Sequence, residues 1–172
     1  MHTTIEHLKY ISGIWTGKGI AEIPTINTFE YSEHLTFAFN EKNPVIHFEQ
    51  KAWIKSNNER NNEPISWESG FIIDKGNNLF ELICTHNSGR LEWYKGFAEQ
   101  ITNDKIIIEF DSVAIINDDR MISSKRVFIF NQTSIGYEQL MNTSKVKQTI
   151  RHLKAELFNN KNEKQNSGVV NN

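Results

Sequence analysis

The chain has 172 residues, a formal net charge of −2, a hydrophobic fraction of 38% and a single cysteine, Cys84. That length suits one domain, the lone cysteine excludes an intramolecular disulfide framework or a Cys-only zinc site, and the near-neutral charge argues against a dedicated nucleic-acid binder. No apolar run approaches the ~20 residues of a membrane helix, and the N-terminus has neither the basic nor the apolar part of a signal peptide, so the expectation is a cytoplasmic protein without nucleic-acid or membrane partners.

Along the chain, Ile5, Leu8 and Ile11 recur at helical spacing behind a possible Thr3 or Thr4 cap, and Gly13 ends that short helix. Runs rich in Ile, Phe, Val and Thr follow and predict strands over 14–23, 29–39, 45–55, 66–74, 79–85, 90–99, 105–111, 119–130, 134–142 and 147–158. Their separators are Asn/Gly/Asp/Pro clusters, such as Lys75-Gly76-Asn77-Asn78 and Asn87-Ser88-Gly89. Such short loops imply consecutive antiparallel pairing, because parallel pairs need long crossovers. Ten strands so joined predict an all-β, up-and-down antiparallel barrel over 1–158, with a polar, disordered tail at 159–172. In 29–39 the odd positions are mostly apolar and face the predicted interior. The glycines of Gly13-Ile14-Trp15-Thr16-Gly17-Lys18-Gly19 clear one face of the first strand. That permits a barrel corner closed by Trp15, or close approach of another backbone or a flat ligand.

The G-x-W-x-G-x-G run and the Pro24-Thr25 that follows it are joined by further motifs in order. These are Phe29-x-Tyr31-x-Glu33, Glu68-x-Gly70-Phe71, Gly89-x-x-Glu92-x-x-x-Gly96, Arg126-x-Phe128 and His152-Leu153-x-Ala155. Together they resemble the nitrobindin family of haem-binding β-barrels, also called peroxynitrite isomerases, whose domain also ends a human THAP-type zinc-finger protein. The resemblance implies a ten-stranded, lipocalin-like barrel holding haem b near one mouth. It implies that His152 is the proximal iron ligand and so the catalytic and metal-binding residue, and that Thr25 contacts the haem. It further implies isomerisation of peroxynitrite to nitrate on ferric haem and NO binding by the ferrous form. Three positions depart from the family pattern: Ala21 stands for a glycine, Ile23 for a tyrosine and Ser66 for a histidine.

Read from the residues alone, strict alternation along Thr149–Leu157 turns Leu153, Ala155 and Leu157 inward and His152 outward with Lys154 and Glu156. An inward His152 needs a bulge at the start of that strand, or a ligand at the rim. His2, His7, His34, His47 and His86 show no metal-clamp spacing, and Cys84 reads as a small buried hydrophobe. Lys125-Arg126 reads first as a solvated charged face and second as a partner for propionates. Two alternatives stay open. One is a fatty-acid or other apolar-ligand carrier anchored by Arg126 or Arg151, and the other is a family member without haem. The oligomeric state is open, a homodimer included.

Overall fold

The structure, a computed structural model, describes residues 3–102 and 104–159. Ten strands follow a short helical segment: β1 (Gly13–Ala21), β2 (Phe29–Phe39), β3 (Val45–Lys55), β4 (Pro64–Gly76), β5 (Leu79–His86), β6 (Leu91–Ile101), β7 (Lys105–Ile116), β8 (Met121–Asn131), β9 (Ser134–Thr143) and β10 (Ile150–Asn159). Each pairs antiparallel with its neighbours in sequence, and β1 pairs with β10, so the sheet closes and leaves no edge strand. The up-and-down order follows from the turn chemistry. Asn77 and Asn78 both adopt positive φ, 54° and 63°, as a two-residue hairpin between β4 and β5 demands.

The predicted single helix is instead α1 (Thr3–His7) followed by a 3₁₀ turn over Lys9–Ile11. Its apolar residues Ile5, Leu8 and Ile11 are buried against one end of the barrel. Trp15 plugs that end and donates its indole N–H to the Ile11 carbonyl at 2.7 Å. Above it lie Phe37, Phe48, Phe80, Phe110, Phe128 and Phe130, all buried, so this half of the barrel is filled by the protein's own side chains. Phe128 and Phe130 stack with ring centroids 5.5 Å apart.

The glycines of β1 serve the chain itself. A Cβ at Gly17 would lie 2.0 Å from the Glu156 carbonyl oxygen of β10, and one at Gly19 would lie 2.2 Å from the Tyr31 ring. Protein atoms therefore occupy the space that the sequence left open to a flat ligand. The final strand begins at Ile150 and runs through Asn159, so the first residue of the predicted tail is β-structured, and the remainder of the tail lies outside the described residues. No helix among the described residues is long and apolar enough to cross a membrane.

Candidate functional site

Inward-facing positions change character halfway up the barrel. Beyond the aromatic half sits a belt of buried polar groups: Glu33 on β2, Gln50 on β3, Glu68 on β4, Glu92 on β6, Arg126 on β8, and Tyr137 and Gln139 on β9. A buried charge is tolerated only when paired and hydrogen-bonded, and one side of the belt meets that requirement through Arg126. Its guanidinium donates to Glu68 at 2.5 and 2.8 Å, to Glu92 at 2.8 Å and to the Tyr94 hydroxyl at 3.1 Å. His86 lies between the same two carboxylates, 3.1 Å from each, and Arg90 reaches the second oxygen of Glu92 at 2.9 Å. Burial alone would raise the two carboxylates, but the adjacent Arg126 charge outweighs it and holds both below the usual range.

Arg126 is thus a saturated interior ion-pair node, which overturns its reading as part of a solvated face; Lys125, next to it, faces outward and pairs with Glu109. Ligand atoms of Glu68, Cys84, His86 and Glu92 converge within 4.8 Å of one another. Guanidinium groups already neutralise those carboxylates, however, and burial pushes the Cys84 thiol up and keeps it protonated.

The other side of the belt is a neutral hydrogen-bonded cluster. The Tyr137 hydroxyl lies 2.8 Å from a Glu33 carboxyl oxygen, accepts from the Gln50 amide at 2.8 Å, and lies 2.9 Å from the Tyr31 hydroxyl. Glu33 is fully buried, and desolvation, only partly offset by the hydrogen bonds it accepts, pushes its carboxyl up to about 8.

Above the belt the barrel opens. A cavity of about 890 Å³ is walled by apolar groups, among them Ile26, Ile54, Ile65 and Leu153, while Tyr31, Gln50 and Tyr137 offer it polar contacts. That volume lies within the 300–1,000 Å³ of ordinary small-molecule sites. A second cavity of about 300 Å³ adjoins it, with Ile23 and Arg90 on both walls, and here Thr25 and His152 come together. Thr25 sits on the exposed β1–β2 loop. Ile23 and Ser66, two of the departures from the family pattern, both line the larger cavity, and Ala21 is buried at the end of β1.

His152 is turned inward by a bulge. On β10, Arg151 pairs with Leu140 and Leu153 with Gln139, so His152 is the extra residue opposite that step. Strict alternation would have put it outside; the inserted residue breaks the alternation, and His152 is only 3% exposed. Its Nε2 is buried without a hydrogen-bond partner among the described residues, and burial lowers its pKa, favouring the neutral imidazole. Among the described residues, His34, His47 and His86 stay apart from it. His34 is exposed, His47 bonds Ser69 on the outer wall, and His86 belongs to the ion-pair node. The belt residues were legible only as exceptions, since Glu33, Glu68 and Glu92 occupy inward positions of otherwise apolar alternation.

Comparison with known proteins agrees with this architecture. The model of a family described as the THAP4-like, heme-binding beta-barrel domain matches residues 4–158. A protein of Arabidopsis thaliana named peroxynitrite isomerase Rv2717c is 29% identical over 144 residues, covering 84% of this chain and 82% of its own. A peroxynitrite isomerase of Nocardioides sp. is 30% identical over 111 residues, 62% of this chain and 67% of its own. The crystal structure of Rv2717c from M. tuberculosis superposes with a TM-score of 0.81 at 23% identity, over 92% of this chain and 98% of that one, which establishes the shared fold.

Proposed function

Since the chain belongs to the THAP4-like, haem-binding β-barrel family and haem is accordingly its cofactor, we propose that His152 holds the iron and that the protein isomerises peroxynitrite to nitrate and binds NO. The observation that carries the assignment is the unpartnered, buried Nε2 of His152 at the wall of a cavity. Buried polar atoms are nearly always satisfied, so an orphaned neutral imidazole nitrogen is a donor awaiting an acceptor of its lone pair. The residues present fit haem. The larger cavity has apolar walls for a porphyrin, and Thr25 and His152 both line the adjoining one.

When bound, a ferric b-type haem supplies Lewis acidity and one-electron chemistry at oxygen. The chain's own residues do the rest. The bulge at Arg151/Leu153 fixes the direction of His152, and the backbone of the same residue is pinned where its carbonyl accepts from the Glu22 N–H at 2.7 Å. Ile26, Ile54 and Ile65 give the cavity apolar walls for the macrocycle. The names of the relatives support the reaction assignment. The fatty-acid reading finds no support, because both of its anchors are engaged: Arg126 is saturated by two carboxylates, and Arg151 is exposed on the outer surface, paired with Glu22 and Glu138.

Titration of the purified protein with hemin tests the assignment. The wild type is expected to give a saturable Soret change and His152→Ala a weakened or spectrally altered one. An identical spectrum and affinity for the variant removes His152 as the ligand, and an absence of any saturable change removes the haem site. Decay of peroxynitrite with and without the loaded protein then tests catalysis.

A further inference from the structure

The cluster of Glu33, Tyr137, Tyr31 and Gln50 is used by nothing described so far, yet it joins a buried acid to the wall of the large cavity. Tyr137 has one hydroxyl hydrogen and two lone pairs, and it has three neighbours: the Gln50 amide, Glu33 and Tyr31. Gln50 Nε2 can only donate, so one lone pair of Tyr137 is always taken. The state of Glu33 decides how the rest is used.

If Glu33 is ionised, Tyr137 must donate to it, Tyr31 must donate to Tyr137, and Tyr31 shows the cavity only lone pairs. If Glu33 is neutral, its hydrogen is best placed on Oε2, because Oε1 has no partner among the described residues. Glu33 then donates to Tyr137, Tyr137 donates to Tyr31, and the Tyr31 hydrogen is released. Its competing acceptor among the described residues is the Lys154 carbonyl at a long 3.4 Å.

We propose that the Tyr31 hydroxyl is the group that positions a ligand in the cavity, and that the proton on Glu33, relayed through Tyr137, makes it a hydrogen-bond donor. The inference rests on the haem reading for the identity of the site, and it deepens that reading by naming a recognition group for small oxygen-bearing anions. Among the described residues, the groups that act on Glu33 are Tyr137 from β9, Gln50 from β3, the more distant Glu68 from β4 and its Arg126 partner from β8, and Tyr31 from β2 itself. With its pKa raised to about 8 by burial, Glu33 keeps its proton at neutral pH, and the donor state prevails there.

Infrared spectroscopy of the haem-loaded, ferrous carbon monoxide complex of the full chain tests this between pH 6 and 9.5. A Soret band of the loaded protein establishes the haem reading first, so a failure after that point belongs to the inference alone. The wild type should show a protonated carboxyl band at pH 6 that is missing from Glu33→Gln. Its C–O stretch should shift upward as pH passes about 8, because a donor near the bound oxygen atom is lost. Tyr31→Phe and Glu33→Gln should show no such step. Tyr137→Phe should lose the step while keeping the carboxyl band, a result that a merely structural role for Glu33 would not produce. A wild-type stretch that ignores pH, or a step that survives in Tyr31→Phe or Tyr137→Phe, overturns the proposal.

Discussion

Replacing Arg126 by methionine tests the ion-pair node most severely. The substitution keeps much of the buried volume but removes contacts at 2.5, 2.8 and 2.8 Å to two carboxylates and the 3.1 Å hydrogen bond to Tyr94. Glu68 is left with the His86 ring at 3.1 Å, and Glu92 with the same ring and Arg90. Removing one partner of a buried pair costs about 3–5 kcal/mol, chiefly through the stranded charge. For a domain of this size, 1 kcal/mol moves the midpoint by about 2–4 °C, so a drop of roughly 6–20 °C is expected at pH 8.

The pH dependence carries the sharper test. In the wild type both carboxylates are held below their unfolded values, so their contribution is present above about pH 4.3 and is lost only in acid. Without Arg126 the buried pair should bind protons in the folded state, with raised pKa values. The variant should then recover stability relative to the wild type as pH falls from 8 towards 5. Glu33 also feels the Arg126 charge, so the comparison is made with Glu33→Gln in both proteins, which removes its titration. Thermal unfolding followed by circular dichroism reads this directly. A variant within 1 kcal/mol of the wild type at pH 8, or a deficit that widens as pH falls to 5, would refute the reasoning. The triple variant with Glu68→Gln and Glu92→Gln should regain part of the loss, since no charge is then stranded.

Other substitutions probe the barrel and its rim. Gly70→Ala would set a Cβ 2.0 Å from the Ile83 carbonyl oxygen, an atom of the neighbouring strand that cannot move freely; a loss of about 1–3 kcal/mol by denaturant unfolding is expected. Trp15→Ala should cost about 3–5 kcal/mol in the same assay, because it empties the plug beneath the aromatic half and frees the Ile11 carbonyl. Arg151→Ala should change neither the unfolding midpoint nor hemin affinity, since its partners Glu22 and Glu138 lie on the surface; a lost hemin affinity would show that the rim outside β10 shapes the site.

Much of the architecture was legible in the residues alone. Alternating apolar positions and Asn/Gly turns dictate short antiparallel strands, because side chains on a strand repeat every two residues and positive-φ turns join neighbours directly. The motif series from Gly13 to Ala155 pointed to the same barrel. Local rules failed at two places. His152 obeys the alternation only up to a bulge, and a one-residue insertion is a matter of how β10 meets β9, not of the sequence of β10. Arg126 looked solvated because a lone arginine usually is; its burial depends on Glu68 and Glu92, 58 and 34 residues away, meeting it across the barrel. The one cysteine and the near-neutral charge at the outset narrowed the chemistry. Only closure of the ten strands decided which charges cancel inside, and which histidine nitrogen is left without a partner.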